Sequence, residues 1–310
     1  MGRFALWLAC AAAALGGASG NFSGDGRLLQ VEYAMRAAAR GGLVVGVAAA
    51  GGCVLAAVLD DADAADDGKL ARVAPHLGLG TAGLVGDARH LARRARAAAV
   101  DHWLDFGERV DARHLADAVA DFAAQASGCA LDAPAYATAR PLGVAALLGG
   151  VDDDGAAALF SINAAGVVKR CRAAAVGSGA DAALDCLRSE LAALTAAPPA
   201  SEQGDDHGDG PAPTWTVDEA VRMVARVILA HDDREAAAAA AATAGPSAKA
   251  KPRRPLAPRV LFAIVDAAPH TAAPDAAQLQ PYDDGWASSQ PGAARYRALP
   301  QHHVQELIRR

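Results

Sequence analysis

Nine histidines, five cysteines and 35 carboxylates are the side chains of this 310-residue chain best suited to chemistry. Their spacing gives none of the arrangements that such chemistry needs. His76, His90, His102 and His114 are scattered, without the HExxH run that sets two imidazoles on one helix face around zinc. His302 and His303 are adjacent but have no fixed third ligand, so an incidental surface pair is the plainer reading. Cys10, Cys53, Cys129, Cys171 and Cys186 are odd in number and form no CxxC pair. That excludes a closed disulfide framework and a zinc knuckle, and predicts buried free thiols in a reducing compartment. Ser178 stands in Gly177-Ser178-Gly179, which lacks the GxSxG spacing of a nucleophile elbow. A glycine-rich phosphate loop is absent too. The expectation is a chain with no metal and no cofactor.

The wider composition narrows the class further. A formal charge of −6 argues against a nucleic-acid binder. The cluster Arg93-Arg94-Ala95-Arg96 reads as a solvated or subunit-facing helix surface. Apolar residues make up 53% of the chain, enough for a sizeable core, although much of that share is small alanine. Residues 1–20 have one early Arg3, an apolar run over 4–15 and small residues over 16–20, the layout of a secretory leader. Asn21-Phe22-Ser23 is a glycosylation sequon, and the apolar run is too short to span a membrane.

Those residues have to be held by elements that the pattern predicts. A helix is expected over 26–40, stopped by Gly41-Gly42. Strands follow over 43–49 and 53–59 around Gly51-Gly52, then over 69–74 and 76–81 around Pro75. Helices are expected over 87–106, with Asp87 favouring its positive end, and over 111–125. Three strands come next, 142–151, 156–162 and 167–174, then helices over 177–195 and 216–231. Thr216 and Glu219 have capping-box spacing. Residues 196–213 read as a loop, and 235–258 as a low-complexity insertion. A strand over 260–265, a turn-rich stretch and a helix over 300–310 close the chain. Helix pairs between groups of antiparallel strands predict a layered α+β sandwich rather than βαβ units.

The run Phe22-Ser-Gly-Asp-Gly-Arg-Leu-Leu-Gln-Val-Glu-Tyr-Ala-Met-Arg-Ala37 resembles the N-terminal signature of proteasome α subunits, FSPxGRLxQVEYAxxA. Residues 77–89 are similar to that family's strand–turn–helix with SGxxADAR, and Arg140-Pro-Leu-Gly143 to its RPFG or RPLG. The resemblance covers about 22–228, and more weakly 260–310. It implies the four-layer αββα sandwich of the Ntn-hydrolase superfamily, as a single domain over 21–310 after a leader or extension over 1–20. Residues 82–91 and 224–232 lean towards the subunit at the seventh position of the eukaryotic α ring.

Active members of the family attack through an N-terminal threonine whose own amine is the base. The resemblance puts Gly42 at that position, between Gly41 and Leu43, and Val58 where active subunits have an aspartate, while Lys69 keeps the expected basic residue. It therefore implies a non-catalytic structural subunit of the 20S core that contributes to ring assembly, pore gating and activator docking in ubiquitin-dependent degradation. Phe22, Asp25, Arg27, Gln30, Val31 and Tyr33 would form ring interface and gate. Gly24 replaces the family's proline, and its Tyr-Asp-Arg segment is missing. Lys69 and Gly83 would line the pocket that receives an activator's tail. Implied partners are neighbouring α subunits, β-ring subunits and activator particles, with no nucleic acid and no membrane, in cytoplasm and nucleus. Two alternatives stay open, a threonine-type peptidase subunit and a secreted or organellar protein that reuses the fold.

Overall fold

Two runs of wholly buried apolar residues flank Gly51, and they form the centre of the molecule. Strand β1 (Val44–Ala49) and strand β2 (Gly52–Val58) pair antiparallel from Val44↔Ala57 to Ala49↔Gly52. Gly51, at φ +74°, takes the left-handed turn between them. The computed structural model describes residues 23, 25–59, 68–127, 140–152, 155–194, 214–242, 260–266 and 295–300. The leader, Phe22, the loop over 196–213, most of the 235–258 insertion and the terminal 301–310 lie outside these.

The remaining strands are β3 (Leu70–Ala74), β4 (Leu77–Gly83), β5 (Val144–Val151), β6 (Ala157–Ile162), β7 (Val168–Arg170), β8 (Ala173–Val176), β9 (Val260–Asp266) and β10 (Arg295–Ala298). One sheet has the order β10-β9-β2-β1-β8 and the other β3-β4-β5-β6-β7. Every pairing is antiparallel. The helices are α1 (Leu29–Ala39), α2 (Val85–Phe106), α3 (Ala112–Ala126), α4 (Ala180–Leu194) and α5 (Val217–Ala242).

Alternation along the strands decides the layers, because successive side chains leave opposite faces of a sheet. Val45, Val47, Val54, Ala56, Phe262 and Ile264 pack with Leu187 of α4 and Val221, Val224 and Ile228 of α5. Their neighbours Val44, Ala48, Cys53, Leu55 and Ala57 meet Leu147, Leu159 and Ala263 between the sheets. On the far side Leu77, Leu79, Ala146, Leu148 and Phe160 pack with Leu91 and Ala95 of α2 and Leu115 and Val119 of α3. The order is helix, sheet, sheet, helix, which is the expected α+β sandwich. No helix among the described residues is long and apolar enough to cross a membrane.

Four expectations need correction. The single strand over 167–174 is two, β7 and β8, in different sheets. The Cys171 amide still donates to the Leu159 carbonyl in one sheet, while the next carbonyl, of Arg172, accepts from Ala48 in the other. Helix α5 runs eleven residues past His231, to Ala242, because the poly-alanine start of the insertion favours helix. Strand β10, inside the stretch expected to be turns, pairs with β9 from Arg295↔Asp266 to Ala298↔Ala263. Of the described cysteines only Cys53 is buried; Cys171 and Cys186 are free thiols and half-buried.

Candidate functional site

The signature segment enters α1 through a closed turn. The Gly26 amide donates to the Ser23 carbonyl at 2.8 Å, and the Arg27 amide to Ser23 Oγ at 3.1 Å. Arg27 Nε donates to Glu32 Oε1 at 2.7 Å, and the second guanidinium nitrogen reaches the other carboxylate oxygen. That bond draws the Glu32 carboxyl below the usual carboxylate range. Val31, Ala34 and Ala38 are buried, with α1 resting on β4 and β5. Asp25, Arg27, Gln30, Tyr33, Met35 and Arg36 are exposed. Of the expected interface residues, Val31 thus turns inward and the others described turn outward.

Beneath the end of α1 the backbones of three segments nearly touch. A Cβ on Gly83 would lie 2.1 Å from the Gly143 carbonyl oxygen and 3.1 Å from Ala38 Cα. Its φ of +130° also excludes ordinary side chains, so only glycine fits. A Cβ on Gly41 would stand 2.1 Å from the Gly83 nitrogen. Around this junction Asp87 was expected to favour the positive end of α2, and it does lie in the first turn there. Its carboxylate is turned elsewhere. Both oxygens accept from Arg140, Nη2 to Oδ1 and Nη1 to Oδ2, each at 2.8 Å. Oδ2 also accepts from the Gly143 amide at 2.8 Å. The Arg140 guanidinium, and less strongly the Gly143 amide, hold the Asp87 carboxyl below its ordinary value despite burial. The sequence offered both motifs, SGxxADAR-like and RPLG, but not their union, because 53 residues separate the partners.

A second gathering lies at the far side of Gly41. The Gly41 carbonyl accepts from the Ser178 amide at 2.7 Å, and the Leu43 carbonyl from the Val58 amide at 2.8 Å. Lys69 is only 3% exposed and its Nζ donates to the Val58 carbonyl at 3.0 Å. Gly177, at φ +99°, stands where a Cβ would meet the Gly42 carbonyl at 2.7 Å. Residues 42, 58, 69 and 177–178, distant in sequence, therefore converge. Gly41, Gly42 and Leu43 offer neither hydroxyl nor thiol there. Lys69 does not project to the surface beside Gly83 in this structure; it serves a backbone carbonyl inside. Sequence reasoning missed His231, buried with Nε2 at 3.1 Å from the Ser178 carbonyl. A lone histidine on an apolar helix face gave no signal for that role.

At the opposite end of α2, His102 lies 4.7 Å from the Phe106 ring and 5.0 Å from the His114 ring. Leu104 and Phe106 are exposed beside them. Among the described residues no group of three or more His, Cys, Asp or Glu could hold a metal ion.

The family model described as "Proteasome subunit" matches residues 38–197. The chain is similar to proteasome subunit alpha type-5 of Caenorhabditis elegans, 33% identical over 177 residues, covering 54% of this chain and 68% of that one. It is 36% identical over 166 residues to proteasome subunit alpha type-5 of Drosophila melanogaster, covering 52% and 68%. A proteasome subunit alpha of Methanopyrus kandleri is 35% identical over 175 residues, covering 54% and 67%.

Proposed function

The chain belongs to the proteasome subunit family, among its α subunits, and on that premise we propose that it is a non-catalytic structural member of the 20S α ring. The observation that carries the reading is the division of α1. A narrow stripe of Val31, Ala34 and Ala38 is buried, while Gln30, Tyr33, Met35 and Arg36 stand uncovered on a helix already fastened at both ends. A subunit that closes a ring by heterologous contacts needs such a rigid, partly apolar face. Gly41, Gly42 and Leu43, at the strand start where active subunits have their nucleophile, support a role without catalysis.

The finer parts of the reading follow from the same residues. Phe22, Asp25, Arg27, Gln30, Val31 and Tyr33 are proposed for ring contact and gate, and Gly83 with Lys69 for the pocket that takes an activator's tail. To meet a terminal carboxylate Lys69 would have to leave the Val58 carbonyl, so Gly83 and the exposed Leu84 are the first contacts. The seventh ring position rests on the likeness of 82–91 and 224–232; the matched relatives, α type-5 or undifferentiated archaeal α, do not carry it. We place the chain in cytoplasm and nucleus, in ubiquitin-dependent degradation, as one domain over 21–310 with insertions near 196–213 and 235–258. A second reading, a secreted protein reusing the fold, is favoured by the leader-like layout of 1–20 and the sequon at Asn21.

The test is affinity purification of the chain from its own cells, followed by native mass spectrometry and mapping of the N-terminus. Recovery at core-particle size with other α and β subunits is expected. A small glycosylated species that begins at Asn21, without such partners, would overturn the ring assignment in favour of the second reading.

A further inference from the structure

We infer that Asp87 and Arg140 are positioning residues for the ring-facing surface, acting on α1 and Gly83 through the backbone of Gly143 and Leu84. The inference rests on the ring reading above and names what sets the geometry of its contact face.

The chain of contacts is short and continuous. Arg140 grips Asp87 with two parallel bonds, which fixes the carboxylate in plane as well as in place. The same carboxylate takes the Gly143 amide. The Gly143 carbonyl in turn accepts from the Leu84 amide at 3.0 Å, so both polar groups of Gly143 are engaged. Gly83 lies directly on that carbonyl, and Ala38 of α1 lies directly on Gly83. Gly143 also approaches Ala37 of α1, whose Cβ would be 3.3 Å from an added one. No side chain at residues 41, 83 or 143 can buffer a displacement, because all three are glycine. A shift of the carboxylate is therefore passed to the helix seat rather than absorbed by repacking.

A pair that served only stability would not need this arrangement. Arg140 is exposed to 57% of its side-chain surface, so it contributes little as an isolated surface ion pair. What it adds is orientation of a carboxylate that is itself mostly buried. Arg140 can be replaced without opening the core, which makes the idea testable in a folded chain.

The experiment uses the full chain, alone and co-expressed with its partner α subunits, in three variants: Arg140→Ala, Arg140→Lys and Leu115→Ala. The last, on the core-facing side of α3, is a control that destabilises without touching the junction. Amide hydrogen exchange of the free chain should rise about tenfold or more at Leu84, Gly143 and the second half of α1 in Arg140→Ala, with β5 and β6 otherwise unchanged. Arg140→Lys keeps the charge but not the fork, and should fail to restore protection. Incorporation into rings should fall several-fold further in Arg140→Ala than in Leu115→Ala, although the control is the less stable protein. Unchanged exchange at those amides, full rescue by lysine, or incorporation that merely follows stability across the three would each overturn the positioning role. Failure of the unmodified chain to enter rings would overturn the ring reading instead, and the exchange result would still judge the junction.

Discussion

Two corners of the molecule share Gly41 and are held together in opposite ways. On one side, the junction of α1, β4 and β5 is fixed by a charged side-chain clamp, Arg140 to Asp87 to the Gly143 amide. On the other, the corner of Gly42, Val58, Lys69 and Gly177 is fixed mainly by backbone bonds and by the absence of side chains. The first can be tuned by chemistry, since its strength depends on ionisation and on the shape of a guanidinium. The second leaves least room at Gly177, where an added Cβ meets the carbonyls of Gly41 and Gly42. The fold thus keeps an adjustable surface corner beside a tightly filled one.

The largest effect should come from adding atoms to the glycine corner. Gly177→Ala forces a Cβ to within 2.7 Å of the Gly42 carbonyl at a φ of +99°, and should cost on the order of 3–5 kcal/mol or prevent folding. Denaturant unfolding of the soluble fraction reads the loss. A variant as stable as the parent would show that this corner gives way, and the contrast would collapse.

A middle effect belongs to the clamp. Asp87→Ala leaves the Gly143 amide without its acceptor, and should cost roughly 2–3 kcal/mol. Lys69→Met is the matching change on the other side. It exchanges a buried ammonium and its bond to Val58 for an apolar stem of similar length, and should cost no more than about 1.5 kcal/mol. If the lysine change proved the costlier, the second corner would be the one that depends on charge.

Acidification should separate the corners more gently. The Asp87 carboxyl is held below its unfolded value, so its contribution is fully present above the ordinary carboxylate pKa of about 4 and is lost as pH falls through the lower folded value. The difference in unfolding free energy between the parent chain and Asp87→Asn, followed from pH 6 to pH 2, should shrink. A constant difference would mean that the carboxylate's charge plays no part.

The smallest effect is kinetic. Burial pushes the Cys53 thiol up to about 12, leaving almost no thiolate near neutrality. Alkylation at pH 8 followed by peptide mapping should modify Cys171 and Cys186 well before Cys53. Early labelling of Cys53 would show that the space between the sheets opens far more readily than its packing implies.

Much of this was legible in the residues, and the failures are instructive. Helix α3 showed itself from residue 111, where the structure finds the Asp111 side chain accepting the His114 amide at 2.6 Å. Helix α5 did so through Thr216 and Glu219, which exchange the bonds of a capping box. Local signals of this kind survive because their partners are three residues apart. The break between β7 and β8 was not legible, since Cys171 and Arg172 contain no turn residue and the chain changes sheets simply by changing partners. Strand β10 was hidden for a related reason: Arg-Tyr-Arg-Ala has no apolar run, and its pairing is supplied by β9. The union of Asp87 with Arg140, and the burial of Lys69, are likewise settled by tertiary distance rather than by any nearby pattern.

The pairing of β2 with β9 has a consequence for how the chain is made. Residues 52–58 find their partners at 260–266, some two hundred positions later, whereas β3 to β7 join strictly in order of synthesis. While the ribosome completes the intervening length, one flank of Gly-Cys-Val-Leu-Ala-Ala-Val has every ladder bond unmet. An apolar edge left open for that interval invites pairing with the wrong chain. Escort of the nascent chain is most needed between the emergence of residue 58 and the arrival of residue 260.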